Sequence, residues 1–146
     1  MLKKWIAGTL IVAGASLLTV PLQAHHAFAA EFDEKKPVKF VDAVVTRVQL
    51  INPHSWIHVD VKMPDGTVEN WAIEAGSPNI LLRRGITKNT LKVGDKIQVD
   101  GYQSKDGSKR ANGRDLKLPN GQQLFLGSSG GEGAPYEVQR PGVDVK

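Results

Sequence analysis

The sequence predicts one mainly β domain, either a small OB-like barrel or a meander sheet, with one short helix between strands 3 and 4. Two observations carry this prediction. Segments rich in β-branched or alternating residues recur over residues 38–126, and turn signals separate them. The clearest helix signal follows the third segment and precedes two more strands, an order typical of an OB-type barrel.

Each of the first three strands has its own signal. Residues 38–51 are rich in β-branched side chains, residues 56–63 alternate between apolar and polar, and residues 68–75 follow as the third strand. The turn Pro64-Asp65-Gly66 separates the second and third strands, because proline presets φ and glycine accepts the left-handed conformation. These two strands are therefore expected to form a hairpin.

The helix is predicted from its caps. Ser77 is a suitable N-cap, and Pro78 fits the first helical position, where its missing N–H costs nothing. The basic pair Arg83-Arg84 suits the last turn of a helix, and Gly85 is expected to end it. The helix therefore occupies only residues 78–84.

Turn signals also bound the later strands. Residues 91–95 are expected to turn into the fourth strand, which covers residues 96–102. Asp106-Gly107 and Asn112-Gly113 are both predicted to be turns, and the alternating Leu116 and Leu118 lie beyond them. Asn120-Gly121 is a hairpin signal before the apolar residues 124–126.

Residues 1–24 have the parts of a secretory signal peptide: Lys3 and Lys4, an apolar region over residues 6–20, and a small residue at the cut. The apolar region is shorter than the ~20 residues that span a bilayer. The mature protein is therefore predicted to be periplasmic or secreted, without a transmembrane anchor. A rival cut after Ala29 matches the A-x-A pattern better but lies far beyond the apolar region, so we expect cleavage after Ala24.

The rest of the chain divides into three predicted parts. Residues 25–37 form a polar N-terminal segment, and residues 38–126 form the single β-barrel-like domain. Residues 127–146 are rich in glycine, serine and proline, a composition typical of a flexible tail.

Composition excludes several classes of function. The chain has no cysteine, which rules out disulfides and thiolate catalysis. Its formal charge of +4 includes Lys3 and Lys4; without the signal peptide, 17 basic residues face 15 acidic ones, for a net charge of +2. Nucleic acid is therefore not an expected partner. The metallohydrolase motif H-E-x-x-H is absent, and the glycine- and serine-rich residues 127–131 precede no predicted helix, so an enzyme is the less favoured interpretation.

The second predicted strand has an apolar face and a polar face, because side chains alternate along a strand. Its polar face holds His54, Trp56, His58 and Asp60. A three-residue hairpin loop would place Glu74 of the third strand opposite Trp56, beside both histidines. The predicted core comprises Val45 or Val48, Ile57, Val59, Val61, Trp71, Ile73, Ile97, Val99 and Leu116.

The histidines are the sharpest functional signal. Cleavage after Ala24 would make His25 the first residue, and its α-amine and ring nitrogen can chelate one cation. His54 or His58 would complete the site, with His26 as an alternative ring donor. Nitrogen ligands of this kind suit copper, with zinc as the less favoured metal. Glu74 or Asp60 could orient an imidazole by hydrogen bonding to it.

These observations predict a small exported metal-binding protein. The alternative is a metal-free OB-type module, in which Trp56 and its polar neighbours bind a sugar, a peptide or another small ligand. A third hypothesis is an interaction partner in a cell-envelope complex. Intact mass would separate these hypotheses first, because it defines the N-terminus.

Three strings together resemble a known family: His25-His26-Ala27-Phe28 with Glu31-Phe32-Asp33, then Asn52-Pro53-His54-Ser55-Trp56, then Gly76-Ser77-Pro78-Asn79 leading to Leu82-Arg83-Arg84-Gly85. Over about residues 25–130, the chain is similar to small exported bacterial proteins classed as domain-of-unknown-function family 6152. The resemblance implies an exported single domain. It implies no established activity and no catalytic residues.

Overall fold

A computed structural model describes residues 28–127. The predicted signal peptide, His25 and His26, and nearly all of the predicted tail lie outside these residues. Residues 28–31 are helical, and six strands and one further helix follow. The elements are β1 (Phe32–Gln49), β2 (Ser55–Lys62), β3 (Val68–Ala75), the short helix (Pro78–Arg83), β4 (Lys96–Ser104), β5 (Arg110–Lys117) and β6 (Gln123–Phe125).

The strands form one sheet in which five of them pair as a closed ring. The sheet order is β3-β2-β1-β4-β5-β6, and an additional parallel pairing joins β3 to β5. β1 makes the ring possible because it is long enough to pair with both β4 and β2. The prediction of a mainly β fold, either an OB-like barrel or a meander sheet, with one short helix between strands 3 and 4 is confirmed.

β1 begins earlier than predicted. It starts at Phe32 instead of residue 38, so much of the polar N-terminal segment is strand. The charged residues 34–36 are exposed, and the strand still pairs with β4, from Phe32 opposite Ser104 to Val44 opposite Lys96, although the register shifts between Phe32 and Pro37. Backbone pairing therefore overrides a composition that indicates a loop. The pairing is irregular between Phe40 and Ala43, where Asp42 has a φ of 55°.

The predicted turn at Asn112-Gly113 is wrong, because both residues lie inside β5. Glycine serves close packing there. A Cβ on Gly113 would lie 2.7 Å from Ile73 Cγ2 and 2.9 Å from Leu126 Cδ1. The absence of a side chain therefore lets β5 approach β3 and the end of the sheet closely.

The core contains the predicted residues among others. Val45 is buried and Val48 partly buried, which resolves the choice between them. Trp71 packs against Phe40 with ring centroids 4.7 Å apart, and its Nε1 donates to Glu69 Oε2 over 2.9 Å. The other predicted core residues are also buried: Ile57, Val59, Val61, Ile73, Ile97, Val99 and Leu116.

The caps of the short helix are also as predicted. Ser77 is the N-cap, with its hydroxyl accepting from the Ile80 amide, and Gly85 follows the helix with a φ of 84°. Arg84 is the C-cap and joins the helix to the last strand. It donates to the carbonyls of Phe125 and Gly127, and its guanidinium lies 4.6 Å from the centre of the Phe125 ring. Within residues 28–127, neither helical segment has the length and apolarity needed to cross a membrane.

Candidate functional site

The β2–β3 hairpin has the predicted register. Trp56 pairs with Glu74, and Asp60 pairs with Asn70, as the three-residue loop requires. Gly66 at the turn has a φ of 85°, and its amide donates to the Met63 carbonyl. The polar face of β2 and the end of β3 therefore lie side by side, and this shared surface is the candidate site.

His54 and Glu74 form the closest side-chain contact in the candidate site. His54 lies in the loop before β2, where the preceding Asn52–Pro53 peptide is cis. Its Nδ1 is 2.8 Å from Glu74 Oε1. Glu74 is only 6% exposed, whereas the His54 side chain is about one-third exposed. The pair therefore joins a buried carboxylate to an imidazole that solvent can reach.

This contact selects the tautomer of His54. A carboxylate oxygen only accepts hydrogen bonds, so the neutral imidazole carries its proton on Nδ1. The lone pair is then on Nε2, the nitrogen that a metal or another ligand could use. Within residues 28–127, no hydrogen bond engages His54 Nε2. The arrangement is the one in which carboxylates orient metal-binding histidines.

His58 has a different environment. Its Nε2 lies 3.0 Å from Gln49 Oε1, an amide oxygen that can only accept, so Nε2 is the protonated nitrogen in that bond. Burial lowers the pKa of His58, and the nearby charge of Arg47 lowers it further. Among residues 28–127 no carboxylate contacts His58, and the neutral form of its ring is favoured.

The remaining polar residues of the face bond to each other. Asp60 Oδ1 accepts from Asn70 Nδ2 over 2.9 Å, so this carboxylate orients an amide and neither histidine. Trp56 lies between His54 and His58 along the strand and is half-buried. Of the two carboxylates predicted to orient an imidazole, only Glu74 makes that contact.

Two residues that the sequence analysis did not select also belong to the surroundings of Glu74. Burial raises the pKa of the Glu74 carboxyl; the charges of His54 and Arg110 oppose this rise, and that of Glu31 adds to it. Arg110 begins β5, next to Ala72 of β3, and its Nη2 is 3.2 Å from Glu31 Oε2. The parallel β3–β5 pairing brings Arg110 there, and no sequence signal predicts that pairing.

The predicted metal ligands are only partly described. His25 and His26 lie outside the described residues. Within residues 28–127, no three histidine or acidic side chains converge as a metal-binding group. His54 and His58 have separate partners, as expected for residues about 13 Å apart along a strand at ~3.3 Å per residue. Among the predicted site residues that the structure describes, the pair joined by a side-chain contact is His54 and Glu74.

A shallow cleft of about 360 Å³ lies between β1, β4 and β5. Tyr102, Arg114 and Asp115 are among its lining residues, and none of the predicted site residues lines it. The Tyr102 hydroxyl accepts from Arg114 Nη1 over 3.3 Å. This cleft is separate from the candidate site.

Comparison with known proteins places the chain by family. A family model described as a family of unknown function (DUF6152) matches residues 14–113, a range that includes every predicted site residue. No curated protein and no solved structure matches the chain. Because the matched range covers more than half of the sequence, the chain belongs to the DUF6152 family.

Proposed function

We propose that this protein is a small exported metal-binding protein that holds one copper ion. The ligands are the α-amine and ring of His25, a nitrogen of His54, and in an alternative arrangement the ring of His26. The observation that supports this proposal is the 2.8 Å contact between His54 Nδ1 and the buried carboxylate of Glu74. That contact leaves Nε2 of His54 as the donor nitrogen.

Between the two body histidines, His54 is the better ligand. His58 Nε2 donates to the Gln49 amide oxygen, a neutral partner, and Arg47 adds a positive charge that weakens metal binding at the remaining nitrogen, Nδ1. His54 donates from Nδ1 to Glu74, whose negative charge strengthens the donor nitrogen Nε2. We therefore propose His54 as the body ligand, where the sequence left a choice between His54 and His58.

Copper suits such a set better than zinc. An α-amine and imidazoles are borderline nitrogen donors, and Cu(II) binds them more strongly than other divalent first-row ions do. The amine has a reference pKa of ~7.7–8.0, so a metal displaces its proton readily near neutral pH. Zinc remains the competitor that the experiment must include.

Cleavage after Ala24 is supported by the packing of Phe28. Its ring lies 5.9 Å from that of Phe32 and 5.8 Å from that of Tyr102. A cut after Ala29 would remove this packed aromatic together with both N-terminal histidines. Export to the periplasm and a start at His25 are therefore proposed together, and intact mass of periplasmic protein tests both.

Copper titration of the processed protein tests the proposal. We expect one Cu(II) per chain, with nitrogen hyperfine structure in the electron paramagnetic resonance spectrum. Affinity should fall as pH drops through the imidazole range near ~6.5, because protons compete for the ring nitrogens and the amine. One residue added before His25 removes the amine from chelation and spares every imidazole, so binding should weaken severely. Equal binding by native and extended forms contradicts the proposal.

The matched pair His54→Ala and His58→Ala identifies the body ligand. Both variants remove one imidazole from the same surface, but only His54 has the carboxylate-oriented ring. We expect His54→Ala to weaken copper binding and His58→Ala to leave it nearly unchanged. The reverse result would assign His58 as the ligand, and no loss in either would remove the body histidine from the site.

A metal-free ligand-binding module is the second candidate, and one observation favours it. Ligands of OB-type folds bind on strands 2 and 3 and the loop between strands 1 and 2. Trp56, His54 and Glu74 occupy this region. Calorimetry with oligosaccharides and short peptides would test it, and binding that Trp56→Ala abolishes in the absence of copper would support this candidate.

A further inference from the structure

The shallow cleft between β1, β4 and β5 is bordered by a row of charged side chains that crosses these strands. Lys39 of β1 pairs with Asp100 of β4, and Asp100 pairs with Asp115 of β5. Directly paired residues point to the same face of a sheet, so the side chains of this row share one face. The neighbours along the strands, Phe40 and Val99, are buried in the core. The row therefore lies on the outer face of the sheet.

A β-bulge adds Arg114 to the same part of the cleft. Asp115 pairs with β4 in the charged row, but Gly113 pairs with Gly101, the next residue of β4, so Arg114 is an extra residue on β5. A Cβ on Gly101 would lie 2.2 Å from the Asn112 carbonyl oxygen, which is why glycine is needed for this close approach of the two strands. Bulges re-aim side chains, and here Arg114 becomes part of the cleft lining.

Contacts between the lining side chains hold Arg114 and the Tyr102 ring in place. Arg114 Nη1 donates to the Tyr102 hydroxyl over 3.3 Å, and its Nε lies 3.5 Å from Asp115 Oδ2. The Tyr102 ring also meets the Phe28 ring edge-on, with centroids 5.8 Å apart. Side chains ordered in this way lower the ordering cost of binding. The side chains of Arg114 and Asp115 are still 39% and 52% exposed, so a ligand in the cleft can reach both.

The cleft carries as many basic as acidic side chains. Lys39 and Arg114 supply hydrogen-bond donors, Asp100 and Asp115 supply acceptors, and the formal charges cancel. A small anion or cation would meet like charges as well as opposite ones, whereas a neutral hydroxyl both donates and accepts and so suits either kind of partner. Tyr102 adds an aromatic ring with an apolar face beside these groups. Hydroxyl groups around an apolar C–H surface are the chemistry of a sugar.

We propose that this cleft binds a neutral sugar. Arg114 donates to one ring hydroxyl and Asp115 accepts from another, and the C–H face of the sugar packs against Tyr102. Hydrogen bonds to charged groups are stronger than those between neutral groups. The volume of about 360 Å³ is at the lower end of the ~300–1,000 Å³ typical of small-molecule sites, so the ligand is a short glycan. The cleft contains none of the proposed copper ligands, so this proposal does not depend on copper.

Titration of the copper-free protein with neutral trisaccharides tests the proposal. The probes are maltotriose and chitotriose, followed by nuclear magnetic resonance. We expect at least one of them to shift the signals of Tyr102, Arg114 and Asp115. Affinity should be equal at low salt and at ~1 M, where the Debye length is ~3 Å, because the ligand has no charge. The charged competitors are a galacturonic acid trimer and free arginine. Tighter binding of either competitor, or no binding of either sugar, overturns the proposal.

Asp115→Ala and Lys117→Ala are the matched variants. Both shorten an exposed charged side chain on the same face of β5, but of the two only Asp115 lines the cleft. We expect sugar affinity to fall ~10-fold or more in Asp115→Ala, because a hydrogen bond to a charged group is lost, and to stay unchanged in Lys117→Ala. Equal affinity of Asp115→Ala and the native protein contradicts the proposal. Thermal unfolding checks that both variants are folded.

A second comparison locates the sugar on the molecule. Tyr102→Phe keeps the ring and should retain most of the affinity, whereas Tyr102→Ala removes the apolar surface and should lose it. Trp56→Ala changes the polar face of β2 and should have no effect on sugar binding. If Trp56→Ala abolishes binding while Asp115→Ala retains it, the sugar binds on the β2–β3 surface and the assignment to this cleft is wrong.

Discussion

The two histidines on the polar face of β2 differ in one contact, because one imidazole meets a carboxylate and the other meets an amide. His54 donates from Nδ1 to the buried carboxylate of Glu74. His58 bonds through Nε2 to the neutral amide of Gln49. One imidazole therefore has a negative partner that orients it, and the other has a neutral partner and a nearby cation, Arg47.

The two histidines have different partners because they occupy different positions relative to β2. His54 lies before the start of β2, next to the end of β3, where Glu74 is buried. His58 lies within β2 and pairs with Arg47 and Ala72 on its two sides. Residue type alone does not distinguish two exposed-face histidines; the neighbouring strands do.

The largest expected effect tests whether both histidines belong to the polar face. Ile57 lies between Trp56 and His58 and is buried on the opposite face. Ile57→Asp places a charge in an apolar interior and should cost several kcal/mol, roughly 3 or more, in the free energy of unfolding. His58→Asp, one residue away, should cost far less. Chemical denaturation measures both, and equal losses would mean that the faces of β2 are misassigned.

The next effect tests the packing beneath Glu74. Gly113→Ala would place a Cβ 2.7 Å from Ile73 Cγ2 and 3.1 Å from the Glu74 carbonyl. Overpacking of this kind costs ~1–3 kcal/mol. Asn112→Ala changes the adjacent residue on the other side of β5 and should cost less. A Gly113→Ala protein as stable as the native one would show that the approach of β5 to β3 is loose.

A smaller effect is expected from the raised pKa of Glu74, the carboxyl group that contacts His54. Because burial raises the pKa of Glu74, the folded state binds its proton more tightly than the unfolded state. Native stability should therefore fall, relative to Glu74→Gln, as pH rises from the ordinary ~4.3 through the raised pKa. Denaturation at a series of pH values measures it.

Glu69→Gln is the matched control on the same strand. Hydrogen bonds from Lys109 and Trp71 lower the pKa of Glu69, so the sign is reversed. Its carboxylate stabilises the fold above the ordinary pKa, and this contribution is lost as pH falls through the lowered one. Identical pH profiles for the two variants would contradict the assignment of Glu74 as the buried acid.

The smallest effect concerns His58. Its lowered pKa means that the folded state binds this proton more weakly, so stability decreases as pH falls below ~6.5 toward the lowered pKa. A proton titration of the ring by nuclear magnetic resonance should show a midpoint below that of a free histidine. Arg47→Gln should move the midpoint partly back, because burial is the larger cause. A midpoint above ~6.5 would contradict the lowered pKa that we assign to His58.

Much of the candidate site could be predicted from local pattern. The alternation over residues 56–63 assigned both faces of β2, and the turn Pro64-Asp65-Gly66 set the register that placed Glu74 opposite Trp56. Strand alternation and turn chemistry act between near neighbours, so a short window contains the information. The core positions and the helix caps were predictable for the same reason.

Other features depended on contacts between distant segments. Phe28 and Glu31 belong to the family-like strings but had no assigned role, because Tyr102 and Arg110 are far away in sequence. The pair Asn112-Gly113 is typical of a turn, but Gly113 lies in β5 close to Ile73 of β3. The early start of β1 likewise required its partner β4.

The sequence by itself determined the element order, the β2–β3 register and the set of candidate ligands, since each depends on local alternation, turns or residue type. Only the tertiary structure distinguishes the surroundings of His54 and His58, because Glu74 is buried beside the first and the second bonds to Gln49. Hydrogen-bond partners across a sheet are set by long-range pairing, and the residues that pair carry no mark of their partner in the chain.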